Sequence, residues 1–228
     1  MERLFDIFFA LVALVVLSPF LIPIAIVLRV TGEGEVFFLQ SRIGRYGERF
    51  QLLKFATMLK DSPNLGSRTV TVKNDPRVLP LGKLLRKTKI NELPQIINIL
   101  KGDMSLIGPR PLTDETFNYY TAEVQKVVRD VRPGLSGVGS IVFRGEEDMI
   151  SGEQRAQEFY QEIIAPYKGL LESWFAVNRR LDRYFILIFL TIEVVFRPKS
   201  RLIWRVFKDL PSPPIELRDD LDYPSLSG

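Results

Sequence analysis

A short run of the chain combines residue types that could bind a phosphate and a divalent cation. Asn91 and Glu92 fall in the first turn of a predicted helix, Asp103 lies just beyond its end, and Arg110 follows between two prolines. A helix N-terminus offers free N–H groups and the positive end of the helix dipole, which both favour a phosphate. A carboxylate beside it could hold a metal ion that neutralises a pyrophosphate, with Glu92 and Asp103 as candidate ligands.

Each of these residues also has an ordinary structural interpretation. Asn91 is a good N-cap, and Asp103 could cap the next turn instead of binding a metal ion. Arg110 stands apart because prolines restrict its backbone, and a positioned guanidinium can bind a phosphate through two hydrogen bonds. The basic residues near this point could bind an anion or form a solvated face: Lys54, Arg77, Arg86, Lys87, Lys89 and Arg110.

Composition limits the chemistry that such a site can perform. The 228 residues include neither cysteine nor histidine, which excludes disulfides and the usual zinc sites and removes the common base near pH 7. Catalysis must therefore use carboxylates, basic groups, hydroxyls and a hard cation such as Mg²⁺. Residues 209–228 carry a charge of −4 and the remainder +8. A basic body suits a membrane surface, a phosphorylated substrate or nucleic acid, but no basic motif interleaved with aromatics supports a nucleic-acid partner.

The first 30 residues are predicted to enter a membrane. Residues 4–28 are almost entirely apolar, and ~25 helical residues can cross a ~30 Å hydrocarbon core. Ser18-Pro19 and Pro23 predict a sharp kink, because each proline loses an N–H and clashes with a preceding carbonyl. Two arrangements remain open: a kinked single span, or a re-entrant helix-break-helix whose ends lie on one face. The basic residues after position 40 place the following domain on the cytosolic side in either case.

The rest of the chain predicts a mainly helical α/β domain over residues 31–208. Short strands are expected at 35–39 and 50–55, a polar loop at 62–73, and an extended piece at 139–143. Helices are expected at 79–86, 91–101, 113–131 and 153–178. The apolar run 184–196 is too short to span a bilayer, so it is either a core helix or a helix lying in the interface, and it could also mediate a homodimer. Residues 209–228 are acidic and proline-rich and are predicted to be disordered.

In the order of its motifs, the chain resembles the monotopic bacterial sugar transferases, which are polyprenyl-phosphate phosphoglycosyl transferases. The resemblance covers roughly residues 1–207 and depends on several ordered motifs behind one apolar helix. These motifs are Ser18-Pro19, Lys54-Phe55-Ala56-Thr57-Met58, Asp75-Pro76-Arg77, Leu85-Arg86, Glu92-Leu93-Pro94-Gln95, Gly102-Asp103-Met104-Ser105, Gly108-Pro109-Arg110-Pro111 and Arg132-Pro133-Gly134-Leu135-Ser136-Gly137.

This resemblance implies a location and a reaction. It implies a re-entrant membrane helix and a compact domain with interfacial helices on the cytoplasmic face of the bacterial inner membrane. It implies Mg²⁺-dependent transfer of a sugar 1-phosphate from a UDP-sugar to undecaprenyl phosphate, with release of UMP, as the first membrane step of polysaccharide or glycoconjugate synthesis. Carried over by position, Glu92 matches a catalytic glutamate and Lys54, Arg86, Pro109 and Arg110 match substrate-binding positions.

Asn91 departs from the family pattern, in which an aspartate at this position attacks the sugar-linked phosphate. A neutral amide is a poor nucleophile and binds Mg²⁺ weakly. Another carboxylate, Glu92 or Asp103, could attack instead, or the lipid phosphate could attack directly. The chain could also be an inactivated variant, or a non-catalytic membrane-bound interaction protein on the same fold. Further departures at Ala56 and Gly139-Ser140 favour a divergent subfamily over a single engineered change.

Overall fold

The fold is mainly helical, with two small sheets, in a computed structural model that describes residues 2–62, 75–151 and 156–224. The predicted loop at 62–73 lies outside the described residues except for Ser62. The strands are β1 (Phe37–Ile43), β2 (Arg49–Phe55), β3 (Ser105–Ile107) and β4 (Gly134–Ser136). The α-helices are α1 (Glu2–Val30), α2 (Pro80–Lys87), α3 (Ile96–Lys101), α4 (Asp114–Phe117), α5 (Ala122–Arg129), α6 (Val138–Val142), α7 (Glu146–Ser151), α8 (Ala156–Phe159), α9 (Ala165–Val177), α10 (Leu181–Phe196) and α11 (Leu202–Val206). A 3₁₀ segment (Ile90–Gln95) precedes α3, and a π-helical turn (Tyr160–Ile164) precedes α9.

Helix α1 continues through both of its prolines, so the helix-break-helix that the sequence predicts is not seen as an interruption. Pro19 has no N–H to donate to the carbonyl of Val15, four residues back. The Ser18 hydroxyl donates to that same carbonyl at 3.0 Å and so replaces the missing bond. Among the described residues, α1 is the one helix long and apolar enough to cross a membrane.

Helix α1 lies along the domain over most of its length instead of projecting away from it. Its first half packs through Ala10 against β2 and α3, and its last turns pack through Leu28 against Phe55 and Leu85. The helix contacts the domain near both ends and in the middle, and its other side is uncovered. The exposed apolar side chains on that side include Leu4, Phe8, Leu11, Val12, Val15, Val16, Phe20, Ile22, Ile26, Val27 and Val30.

A buried carboxylate joins α1 to two other elements. Asp6 is 2% exposed, and its Oδ1 accepts hydrogen bonds from the Ser105 hydroxyl (2.9 Å), the Leu106 N–H (2.9 Å) and the Tyr184 hydroxyl (2.8 Å). A buried charge costs free energy unless it is hydrogen-bonded, and these three donors satisfy it. Asp6 thereby holds α1, β3 and α10 in one arrangement.

The two sheets are small, as the sequence predicts. Strands β1 and β2 form an antiparallel hairpin that pairs Phe37 with Phe55, while β3 and β4 pair in parallel. The predicted extended piece at 139–143 is wrong, because most of it belongs to α6. The predicted helix at 113–131 is divided into α4 and α5, since Thr121 caps a new helix by accepting from the Val124 N–H.

The main core forms between α6, α9, α10 and the end of the chain. The inner side of α10 is buried, whereas Phe185, Phe189 and Phe196 on its outer side are exposed. Helix α10 therefore contributes both to the core and to an apolar surface. The predicted disorder of the tail is wrong up to residue 224, because Leu210, Leu217 and Leu221 are buried in this core. Apolar residues at these spacings outweigh the acidic, proline-rich composition.

Asp6→Ala is expected to destabilise the protein by about 3 kcal/mol, because three donors lose their acceptor in a buried position. For a chain of this size, that corresponds to a melting temperature lower by roughly 6–12 °C in a thermal unfolding measurement in detergent. Asp182→Ala removes an exposed carboxylate that pairs with Arg180 and serves as the matched control, with little change expected. An unchanged melting temperature in Asp6→Ala would exclude Asp6 as the anchor of α1.

Candidate functional site

A cavity of about 520 Å³ lies between the β1–β2 hairpin, the 3₁₀ segment and the helices α7 and α9. Two of its carboxylates already have a close basic partner: Glu35 pairs with Lys60 at 3.0 Å, and Glu146 pairs with Lys168 at 2.7 Å. Among the described lining residues, the remaining charged groups are one carboxylate and five cations. The carboxylate is Glu92. The cations, which we call the cation cluster, are Arg42, Lys54, Arg86, Lys89 and Arg110.

Glu92 lies at the centre of the cation cluster. Its Oε1 is 3.5 Å from the Lys54 Nζ and 3.4 Å from an Arg110 Nη, and its side chain is 16% exposed. Burial by itself raises the pKa of a carboxyl group. Here the charges of Lys54, Arg110 and Lys89 outweigh burial and lower the pKa of Glu92 to about 2. Glu92 is therefore an ionised carboxylate at any physiological pH.

The cations destabilise one another. Burial, opposed by Glu92 and assisted by the nearby Arg42, Arg110 and Arg86, lowers the pKa of Lys54 to about 8. Burial and the charge of Arg110 likewise lower the pKa of Arg42 to about 10. Burial is the largest cause of both shifts, and the contributions of the neighbouring arginines show that these cations also repel one another. An anion entering the cavity would relieve this repulsion.

Asn91 is not the N-cap that its position in the sequence suggests. The 3₁₀ segment begins after Lys89, whose backbone has φ of +60°, and no side chain caps this end. Asn91 is 5% exposed and lines the cavity, and its Oδ1 is buried with no hydrogen-bond partner in the described part of the chain. A buried acceptor without a donor is costly, so this oxygen is available to a ligand.

Arg110 is positioned by close backbone packing behind it. The Gly108 N–H donates to the Ser136 carbonyl at 2.9 Å, and the Gly134 N–H donates to the Pro109 carbonyl at 2.8 Å. A Cβ on Gly108 would lie 2.3 Å from the Arg132 carbonyl oxygen, so no larger residue fits. Pro109 is buried in this packing and does not line the cavity. Pro109 therefore has a structural role here, and its predicted role in binding substrate stays a prediction.

A buried glutamate on α9 also supports Arg110. The Glu172 Oε1 accepts from the Arg110 backbone N–H at 3.3 Å, and Glu172 is 1% exposed. Burial raises the pKa of Glu172 to about 7, although this N–H, Lys168 and Arg110 act in the opposite direction. Gly139 makes room for this carboxyl group, since a Cβ there would lie 2.4 Å from its Oε1.

Asp103 is not among the described residues that line the cavity, and its role as a metal ligand stays a prediction. Its Oδ2 accepts from the Asn98 side-chain amide at 3.1 Å. The same amide group donates to the Gln51 carbonyl at 2.8 Å, and the Asn98 Oδ1 accepts from the Leu53 N–H at 3.0 Å. Asp103 therefore orients a side chain that joins α3 to β2. It follows Gly102, whose φ of +98° ends α3.

Sequence reasoning missed five charged residues among those that line the cavity: Glu35, Arg42, Lys60, Glu146 and Lys168. Arg42 lies on β1, Glu146 on α7 and Lys168 on α9, far apart in sequence and outside any recognised motif. Lys168 is 2% exposed, and its Nζ lies 5.3 Å from the Phe143 ring centroid and 5.7 Å from that of Tyr160. A buried lysine on an otherwise apolar helix was the available signal, because such a charge requires a partner.

We expect the affinity for the UDP-sugar that the family resemblance implies to fall by roughly tenfold as pH rises through the Lys54 pKa of about 8, because a charged contact to its phosphates is lost. Between the Lys54 pKa of about 8 in the folded chain and 10.5 in the unfolded chain, the free energy of unfolding rises with pH. The reason is that the folded chain has already released the Lys54 proton, whereas the unfolded chain still keeps it. Calorimetric titration with the UDP-sugar across this range measures the affinity. In Lys54→Arg the guanidinium stays charged, so the fall in affinity near pH 8 should disappear. A fall that persists in this variant would belong to the titration of another group.

Comparison with known proteins places this geometry in a family. The chain matches the model of the bacterial sugar transferase family over residues 1–198. An exopolysaccharide production protein, ExoY, of Rhizobium meliloti (strain 1021) is 35% identical over 159 residues, which cover 64% of this chain and 70% of that protein.

Two longer relatives carry names that describe a reaction. The UDP-glucose:undecaprenyl-phosphate glucose-1-phosphate transferase of Escherichia coli (strain K12) is 33% identical over 203 residues, covering 88% of this chain and 41% of that enzyme. The undecaprenyl-phosphate galactose phosphotransferase of Salmonella typhimurium (strain LT2) is 29% identical over 212 residues, covering 86% of this chain and 40% of that enzyme. The chain thus spans about two fifths of these two enzymes. By its match over most of its length, the chain belongs to the bacterial sugar transferase family.

Proposed function

We propose that the protein is a membrane-bound phosphoglycosyl transferase. In this proposal it transfers a sugar 1-phosphate from a UDP-sugar to undecaprenyl phosphate and releases UMP, as the first membrane step of polysaccharide or glycoconjugate synthesis. The names of the E. coli and Salmonella relatives support this reaction. The name of the R. meliloti relative supports exopolysaccharide as the product.

The cation cluster is the observation that carries the proposal. A diphosphate donor and a phosphate acceptor together bring several negative charges, and four cations of the cluster, Arg42, Lys54, Lys89 and Arg110, match them beside the Glu92 carboxylate. Arginine forms paired hydrogen bonds to phosphate oxygens, and lysine supplies a movable point charge. The cluster lowers the cost of bringing the two anions together and stabilises negative charge that develops during transfer.

The reaction exchanges one phosphorus–oxygen bond for another. An oxygen of the acceptor phosphate forms a bond to the sugar-linked phosphorus, and the bridging P–O bond of the donor diphosphate breaks. The bridging oxygen and its electron pair leave with UMP. Arg110, Lys54 and Arg86 would bind the phosphate oxygens and neutralise charge on the leaving group. No proton transfer is required, which suits a chain without histidine.

Asn91 favours direct attack by the acceptor phosphate over a covalent enzyme intermediate. Its amide is too weak a nucleophile to attack phosphorus, and Asp103 lies outside the cavity. Glu92 is present, but Lys54 and Arg110 both contact its Oε1, and a pKa of about 2 marks a weakly basic oxygen. We therefore assign Glu92 the role of holding Lys54 and Arg110 in place.

We also propose that Mg²⁺ assists the reaction, held by the Glu92 carboxylate and the Asn91 Oδ1. Mg²⁺ often takes only one or two protein oxygen ligands and fills its other positions with water and substrate phosphates. The buried Asn91 Oδ1 without a donor fits this use. The described residues contain no group of three or more acidic side chains that could hold a metal without substrate. The ion would neutralise diphosphate charge.

Glu92→Gln is expected to lower the rate of UMP release by at least about a hundredfold, because the charge that positions Lys54 and Arg110 is lost. The assay uses the full chain in detergent with Mg²⁺, undecaprenyl phosphate and a panel of UDP-sugars. Glu35→Gln is the matched control, since Glu35 also lines the cavity but pairs with exposed Lys60. We expect no covalent phospho-sugar adduct by intact mass in the absence of acceptor.

The same assay distinguishes the second candidate function, a non-catalytic interaction protein, which the neutral Asn91 favours. Silence of the native chain across the panel, with turnover in Asn91→Asp, would mean a site disabled at one side chain. Silence in both would overturn the transferase proposal. An adduct on Glu92 would overturn direct attack but keep the enzyme.

The arrangement that we propose for α1 is re-entrant, with both ends on the cytoplasmic face of the bacterial inner membrane. A helix of 29 residues is ~43 Å long, enough to reach across a bilayer. However, Ala10 and Leu28 pack on the same domain as the catalytic cavity. A helix that crossed the membrane would carry one of these contacts away from the domain. The exposed apolar sides of α1 and α10 would face lipid instead.

Because the chain contains no cysteine, single cysteines can report this topology. Glu2→Cys and Thr31→Cys are both expected to react with a membrane-impermeant maleimide in inverted vesicles, and neither in intact spheroplasts. Lys208→Cys, an exposed position in the domain, marks the domain's side. Labelling of Glu2→Cys and Thr31→Cys from opposite sides would establish a spanning helix. A homodimer through α10 stays a prediction from the sequence.

A further inference from the structure

A second pocket, of about 350 Å³, lies where α1 and α10 begin. We call it the arginine pocket, because five of its lining residues are arginines. It shares no lining residue with the cavity that holds Glu92. Its charged lining residues are Arg3, Arg45, Arg132, Arg179 and Arg180, with Glu2 and Asp6.

Most of this positive charge is not neutralised by the two carboxylates. Asp6 is already occupied by three hydrogen-bond donors, and Glu2 pairs with Arg179 at 3.2 Å. Arg180 pairs with Asp182 outside the pocket lining. The described residues place no carboxylate within 4 Å of Arg3, Arg45 or Arg132.

Neutral backbone carbonyls hold those three guanidinium groups in place. Arg3 donates to the carbonyls of Ile99 (2.5 Å) and Leu100 (2.9 Å). The Arg132 Nε donates to the Gly102 carbonyl at 3.0 Å, and the Arg45 Nε donates to the Asp130 carbonyl at 2.9 Å. These bonds fix the groups and leave their charge in place, and each guanidinium has five N–H donors in total. After donating to these carbonyls, each guanidinium therefore still has N–H groups that can bind an anion.

An apolar surface begins directly beside the arginine pocket. Phe5, one residue from Asp6, meets Phe185 of α10 with ring centroids 4.9 Å apart. Phe9 lies 6.5 Å from the same ring. Beyond this contact, Phe8 and Phe189 are 57% and 60% exposed. A ligand that fits both features has an anionic head for the arginines and an apolar chain for α1 and α10.

We infer that the arginine pocket binds the phosphate headgroup of an anionic phospholipid. Arginine is suited to this role because its planar fork pairs with phosphate oxygens. The apolar surface beside the pocket favours a lipid over a soluble phosphate. The inference rests on the membrane attachment proposed above and does not depend on the transfer reaction. Bound lipid would fix the starts of α1 and α10 at headgroup level.

The test is flotation of the full chain with vesicles of phosphatidylcholine, alone or with a minority of phosphatidylglycerol. The native chain should bind both and prefer the anionic vesicles. In the double variant Arg45→Gln with Arg132→Gln, the ratio of binding to anionic over neutral vesicles should fall roughly fivefold for each arginine removed. One basic group near an anionic surface raises affinity by about that factor. The control, Arg197→Gln combined with Arg205→Gln, removes the same charge near the far end of α10, where both residues are exposed. It should keep most of the preference.

The other outcomes each decide a point. Failure to bind neutral vesicles would overturn the membrane attachment itself. Equal losses in the two double variants would reduce the effect to general surface charge and overturn the pocket. Loss of the preference on adding inorganic phosphate, but not on adding chloride at equal ionic strength, would make the ligand a soluble phosphate.

If the arginine-to-glutamine variant melts early, Arg45→Lys combined with Arg132→Lys keeps the charge and removes the fork. It should lie between the native chain and the glutamine variant.

Discussion

An excess of partly buried positive charge is the constraint on which the rest of the structure depends. Lys54 and Arg110 are held against Glu92, and each cation near them raises the cost of the others. Such a group of charges does not persist on a mobile surface, because side chains would separate and take up water. The protein therefore needs a rigid frame behind each member. Strand pairing supplies it for Lys54, and close packing of Gly108 with the Arg132–Gly134 backbone supplies it for Arg110.

The same frame reaches the membrane-facing helix through one short strand. Asp6 of α1 accepts from Ser105 and Leu106 in β3, and β3 leads within a few residues to Arg110. Tyr184 of α10 donates to the same carboxylate. The apolar surface and the cavity are thus parts of one packed unit. An acceptor held in the bilayer would meet a phosphate site at a set distance from the lipid surface, which is what transfer between a soluble donor and a lipid requires.

Sequence reasoning predicted the members of the site that belong to contiguous motifs and missed those that only tertiary packing brings in. Lys54, Arg86, Glu92 and Arg110 all line the cavity. Asp103 lies outside the described cavity lining and bonds the Asn98 amide instead, a tertiary contact that a pattern of residue types does not contain. Arg42 and Lys168 were missed because their partners are distant in sequence. At Pro19, α1 also gains a bond from the Ser18 hydroxyl to the Val15 carbonyl, which the proline positions alone do not predict.

Asn91 changes what the remaining site must do without dismantling it. An aspartate at this place would add a second negative charge to a group in which Glu92 already balances Lys54 and Arg110. With an amide there, the cluster keeps a larger positive excess, which strengthens its hold on anions and weakens any attack from the protein. The buried Oδ1 remains an acceptor without a donor among the described residues. A site with more positive charge and a weaker protein nucleophile is suited to holding two phosphates side by side. The proposal of direct transfer therefore rests on the charge balance of the cavity as well as on the missing carboxylate.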